Sequence, residues 1–309
     1  MNNKDLKKVV ESALDKQKVP HVKLKKIGAS KVDVASLTEP SKETRQEYWG
    51  KGLTYCAIIL IIILVASIIG FIGFHGLETF TKDHVNVFQF LTSSDWDPGE
   101  GKNHVGAAAM IVTSFSVTLL AALVATPFAI AVALFMTEYS SKKGARFLQS
   151  VIELLVGIPS VVYGFLGLTV IVPFIRNIFG GTGFGILSAT LVLFVMVLPT
   201  ITSLTVDSLK AVPSDYRKAS LALGATKWQT IYKVILRVAS PRIMTAVIFG
   251  MARAFGEALA VQMVIGNAVL MPANLVSPSA TLTSQLTSQM GNTVMGTLPN
   301  NALWSLALL

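Results

Sequence analysis

The stretch Leu209–Ile243, LKAVPSDYRKASLALGATKWQTIYKVILRVASPRI, lies between two runs of membrane hydrophobicity. Lys210, Arg217, Lys218, Lys227, Lys233, Arg237 and Arg242 give it seven cations against one carboxylate, Asp215. Its apolar residues recur at helical spacing in two sets: Ala219, Leu221 and Ala222, then Trp228, Ile231, Tyr232 and Ile235, with Gly224 between them. The pattern predicts helix, sharp turn, helix, because glycine accepts the left-handed backbone that such a turn needs. A basic loop between two spans belongs on the cytoplasmic face of a membrane, where it offers a docking surface to a partner.

Composition agrees with a membrane protein. The 309 residues are 52% hydrophobic and 14% charged, with a mean hydropathy of +0.61, too apolar for a soluble globule. The net charge of +9 raises nucleic acid as a ligand, but its distribution excludes that class. Twelve of the 26 Lys and Arg precede Leu53, seven lie in the loop above, and Lys142, Lys143 and Arg146 form a third group. Only Lys82, Lys102 and Arg176 fall in the alternate loops, so the N-terminus is expected in the cytoplasm. The single cysteine, Cys56, excludes an intrachain disulfide.

In chain order, residues 1–48 form a basic tail. Leu6, Val9, Val10, Ala13 and Leu14 recur as one helical face, which suits either a helix lying on anionic lipid or a solvated tail. The remainder, 49–309, is expected to be one transmembrane domain containing the loop at 209–242. Spans are predicted at about 53–74, within 106–137, and at about 147–174, 185–206 and 243–265. The second is tilted, kinked near Pro127, or extended beyond the lipid. A sixth span starts near Ala302 and the sequence ends inside it. Uncharged residues 266–301 should carry a short helix around Leu282, Leu286 and Met290. The fold class is therefore all-α and polytopic. His75, His84 and His104 share an external loop without metal-ligand spacing, and GEGK at Gly99–Lys102 lacks the rest of a phosphate loop, so no metal or cofactor is expected. With no Walker A sequence, the chain does not hydrolyse ATP by that route. No constellation of His, Cys or paired carboxylates lies within a span, which disfavours an intramembrane enzyme.

Lys218-Ala219-Ser220, then Gly224-Ala225, then Val234-Ile235-Leu236-Arg237 resemble the "EAA" loop of ABC-importer permeases, with Lys218 at the acid's place and Arg237 at the proline's. The resemblance implies that the helix around Lys218, Ala219 and Ser220, with the turn at Gly224 and Ala225, sits on an ATPase subunit and transmits its motion. ELLVGIPSVVYGFLGL (Glu153–Leu168), ARAFGEALAVQMVIGN (Ala252–Asn267) and Asp95-Trp96-Asp97-Pro98 are similar to segments of the PstC-type permease family of high-affinity phosphate importers. That implies a second, homologous PstA-type permease subunit, an ATPase dimer and an external phosphate-binding protein. Permeases for molybdate, sulfate or phosphonate, or a phosphate-sensing scaffold, are the rival readings.

Three residues are candidates for the substrate path. Arg253 and Glu257 are four apart and would share one helical face. With a span starting near Ile243, Arg253 lies about 15 Å deep. A charge there costs roughly 2.5–3.5 kcal/mol, so it should face protein or water. Its planar guanidinium suits an oxyanion, and Glu257 would weaken the hold to let the ion pass. A structural ion pair locking the bundle is the alternative. Glu153, expected near the cytoplasmic end of its span, either lines the path or pairs with Arg146.

Overall fold

The computed structural model describes residues 42–309, so the helical face at Leu6–Leu14 lies outside the described residues. Those residues are mostly helical, with no strands beyond isolated bridges such as Trp96–Val105. The chain divides into two compact units, Met1–Val65 and Ala66–Leu309. In the first, the described residues belong to helix α1 (Lys42–Thr81), which continues across the boundary. The run Ile58–Val65 is apolar on every side and exposed throughout, the pattern of a lipid-facing span.

The second unit is a helical bundle. After α1 come α2 (Val87–Thr92), α3 (Ala108–Leu134, ending in a π turn at Phe135–Tyr139), α4 (Lys142–Gly157) and α5 (Ser160–Leu166). A π turn at Gly167–Ile171 joins α5 to α6 (Val172–Phe179), and α7 (Ile186–Lys210) follows. Then come α8 (Ser214–Ala222), and α9 (Lys227–Gln229), which runs through a π turn at Thr230–Ile235 into α10 (Leu236–Phe255). The series ends with α11 (Leu259–Ile265), α12 (Leu282–Gln289) and α13 (Leu298–Leu308).

Helix α7 is the centre: 61% of its apolar window is buried, against 33% or less for the other candidate spans. It is sandwiched by α3 and α10. Small residues make that possible, with Ala121, Ala125, Ala129 and Ala133 forming a buried i, i+4 stripe on α3. On α10, Gly250 packs so tightly that a Cβ there would sit 2.5 Å from Ile201 Cγ1 of α7.

Among the described residues five helices are long and apolar enough to cross a membrane: Gln46–Thr81, Ala108–Tyr139, Ser160–Phe179, Ile186–Lys210 and Lys227–Phe255. The sixth expected span corresponds to α13, whose 11 residues dock against the C-terminal end of α1. Ser305 Oγ donates to Gly76 O at 2.6 Å and Asn301 Nδ2 to Asp83 Oδ2 at 2.8 Å. The expected helix near Leu282 is α12.

The second span continues through Pro127 and extends to Tyr139. Two expectations are corrected. The span expected at 147–174 is two helices, because Pro159 holds Ile158 in extended backbone (φ −68°, ψ 129°) and ends α4 at Gly157. Tyr163 Oη donates to Leu155 O at 2.8 Å across that break, beside the longer 3.4 Å bond that the same carbonyl accepts from the Ile158 N–H at the end of α4. The span expected at 243–265 begins at Lys227 and stops at Phe255. Gly256 ends the helix, and α11 starts afresh three residues later.

Candidate functional site

On the cytoplasmic side of this sequence's expected topology, α8 and α9 meet at an elbow. Gly224 takes a φ of +81°, the left-handed region that favours glycine, and nothing lies within 4 Å of where its Cβ would be. Thr226 starts α9 with a capping box closed by Gln229. Lys218, Ala219 and Gly224 are exposed, while Ser220 and Ala225 are half-buried. No residue of α8 is fully buried, so hydrophobic packing does not hold it in place. Leu221, Leu223 and Trp228 instead present an exposed apolar surface around the elbow.

Polar contacts do the holding. Ser220 Oγ and Thr230 Oγ1 lie 2.9 Å apart across the elbow. Arg217 Nη2 of α8 is 2.7 Å from Glu138 Oε1, whose side chain is only 8% exposed. Lys227 Nζ donates to the backbone oxygen of the same Glu138 and lies 4.5 Å from the centre of the Tyr139 ring. Lys218, at the position of the resembled family's acid, makes only a loose 3.6 Å pair with Asp215, and both are well exposed. Sequence reasoning did not single out Glu138. The signal was there, because it is the only carboxylate between Glu100 and Glu153 and closes the long run without Asp, Glu, Lys or Arg that follows Lys102.

Arg253 and Glu257 do not share a helical face, since α10 ends between them. Arg253 Nη1 donates to Thr200 Oγ1 of α7 at 2.8 Å. Glu257 Oε1 accepts the Ala260 N–H at 3.2 Å at the start of α11, and its backbone oxygen accepts from Thr283 Oγ1 at 2.9 Å. Among the described residues Arg253 joins no ion pair. Its depth survives the earlier start of the helix. Thr200 lies about 21 Å from the Ile186 end of α7 and about 15 Å from the Lys210 end, at 1.5 Å per residue.

Glu153 lies in α4, outside the crossing segment. It is exposed and accepts from Gln149 Nε2 at 3.0 Å rather than pairing with Arg146. Among the described residues no group of three or more His, Cys, Asp or Glu is placed to hold a metal ion. His104 Nδ1 lies 2.6 Å from Asp95 Oδ2 in the loop before α3.

A multi-pass bundle built on α7, with a guanidinium at mid-depth and a polar-clasped helical elbow between its last two spans, is that of an ABC transporter permease subunit. The chain belongs to the family of binding-protein-dependent transport system inner membrane components, whose model matches residues 125–303. The matched stretch contains Glu138, the elbow and Arg253. The chain is 51% identical to the probable ABC transporter permease protein YqgH of Bacillus subtilis, over 87% of this chain and 88% of that one. It is 33% identical to the phosphate transport system permease protein PstC of Mesorhizobium japonicum, over 83% of each. In fold it resembles a chain of a bacterial alginate ABC transporter solved in complex with an alginate-bound periplasmic protein, at a TM-score of 0.58, 14% identity, and coverage of 85% and 89%.

Proposed function

We propose that this chain is a permease subunit of an ATP-driven importer of inorganic phosphate. Phosphate would pass from an external binding protein, across the plasma membrane, to the cytoplasm, where the N-terminus lies. The observation that carries the reading is Arg253: a half-buried guanidinium at mid-depth, in no ion pair among the described residues, with one hydrogen bond to the neutral hydroxyl of Thr200. A planar, permanently charged fork with donors to spare matches an oxyanion. Kinship with PstC permeases supports phosphate over other oxyanions.

Glu257 lies beside the path as a capping group rather than as a counter-ion to Arg253, and Glu153 belongs to the inner surface. The partners are a homologous PstA-type permease, an ATPase dimer beneath the elbow residues Lys218, Ala219, Ser220, Gly224 and Ala225, and the binding protein. Energy comes from ATP hydrolysis in the ATPase subunits.

The test is uptake in proteoliposomes holding the full complex. Arg253→Gln should abolish phosphate uptake while the subunits still co-purify. Sulfate, molybdate and phosphonate should compete poorly with phosphate in the wild-type complex. Normal uptake by the variant ends the reading of Arg253, and preferential competition by another oxyanion reassigns the substrate.

A further inference from the structure

Residues 138 and 139, at the inner end of α3, touch both arms of the elbow. Arg217 belongs to the arm before Gly224 and reaches the Glu138 carboxylate at 2.7 Å. Lys227 opens the arm after Gly224 and meets the Glu138 carbonyl and the Tyr139 ring. The Ser220–Thr230 contact ties the two arms to each other. The carboxylate is buried while the helix it holds has no buried residue, so this polar clasp replaces the hydrophobic seat that α8 lacks. A buried carboxylate deprived of its one cation is strongly disfavoured, which makes the clasp all-or-none rather than elastic.

We infer that Glu138 is the positioning residue that turns the elbow into a rigid lever fixed to the second span, so that force arriving at α8 is delivered to α3 as well as to α10. Both arms and the end of α3 move together, and Gly224 sets the shape of the elbow without being its pivot. The geometry supports this directly: a free pivot at Gly224 would need the arms to be independent, and they are joined to each other by Ser220–Thr230 and through residues 138 and 139 by the contacts of Arg217 and Lys227. The π turn at Phe135–Tyr139 places the Glu138 carbonyl beside Lys227 and its carboxylate beside Arg217 from a single residue.

This inference rests on the permease reading above, and the experiment separates the two. In the reconstituted full complex, wild-type uptake and ATP hydrolysis are measured together, and the readout is phosphate moved per ATP. Glu138→Gln keeps the shape and removes the charge. It should leave co-purification and ATP hydrolysis near wild type while phosphate moved per ATP falls about tenfold or more. Arg217→Gln should do the same, and the exchange of Glu138→Arg with Arg217→Glu should recover most of the ratio. An unchanged ratio in both single variants overturns the clasp and leaves the permease reading standing, whereas wild-type complex without uptake overturns the permease reading. If Glu138→Gln does not assemble, Arg217→Gln and Lys227→Met are read in its place. Failure of all three to assemble makes the clasp a folding contact and also overturns the inference.

Discussion

Replacing Gly224 by alanine isolates the conformational demand of the elbow. A non-glycine residue in left-handed backbone costs about 1–2 kcal/mol, and the structure adds no steric cost because no atom lies within 4 Å of the new Cβ. Against this stand the ties across the elbow. The Ser220–Thr230 hydrogen bond is worth about 1 kcal/mol. The Arg217–Glu138 pair would cost about 3 kcal/mol to break from one side, the low end of the usual range because Arg217 keeps 31% of its side chain exposed. The ties exceed the cost of the turn, so Gly224→Ala alone should keep the elbow closed and lower phosphate moved per ATP by no more than about twofold.

The same substitution made with Ser220→Ala and Arg217→Gln removes the surplus. The combined loss should then exceed the product of the separate losses, because all three sites share one closed geometry. Asparagine, which tolerates left-handed backbone, should be milder than alanine, and valine worse than either. The assay is paired uptake and ATP hydrolysis in proteoliposomes. If Gly224→Ala alone abolishes coupling, the open space at that glycine is needed for contact with a partner, and the conformational account is wrong.

Other substitutions test the remaining elements. Thr200→Val removes the hydroxyl that accepts a hydrogen bond from Arg253 and should weaken uptake about two- to tenfold without affecting assembly, read from initial rates against phosphate concentration. Tyr163→Phe removes the shorter of the two hydrogen bonds to the Leu155 carbonyl at the α4–α5 break and should destabilise the purified complex by about 1 kcal/mol in thermal unfolding. In the loop before α3, the hydrogen bond to Asp95 raises the His104 pKa above its ordinary value, with the Asp95, Asp97 and Glu100 charges assisting and desolvation opposing. The stabilisation this pair supplies is therefore complete below the ordinary histidine pKa of about 6.5 and is lost as pH rises through the raised value. Asp95→Asn should bring the His104 titration, followed by histidine-selective NMR, back down, and an unshifted titration refutes the pairing.

The elbow was legible because its signals are local: two periodic sets of apolar residues with one glycine between them, in a block of cations. The spans were legible by length and hydropathy, yet two were misplaced. Pro159 already marks the end of α4 by what it does to Ile158, and that local rule was outweighed by the hydrophobicity running through it. The break at Gly256 has no comparably strong signal, since isolated glycines are tolerated inside helices. Pairing was the least legible feature. Arg253 finds Thr200 across 53 residues, and Arg217 finds Glu138 across 79, so neither partner follows from helical spacing.

The break between α10 and α11 changes what the Arg253–Glu257 motif can do. On one continuous helix the two charges would neutralise each other four residues apart, leaving an anion little to bind. With the helix interrupted, each is settled by a backbone end instead. Arg253 lies in the last turn of α10, where the carbonyl end of the helix favours a cation by about 0.3–1 kcal/mol. Glu257 accepts an N–H at the start of α11, where an anion is favoured. Both charges are thereby tolerated inside the bundle without cancelling, and Arg253 keeps donors beyond the one given to Thr200. A moderately held, partly solvated guanidinium suits an ion that must be attracted and then released, because transport requires binding strong enough to enter and weak enough to leave. Fusing α10 and α11 into one helix by Gly256→Ala should therefore bring Glu257 toward Arg253 and suppress uptake while both charges remain in place, and subsequent Glu257→Gln should restore part of it.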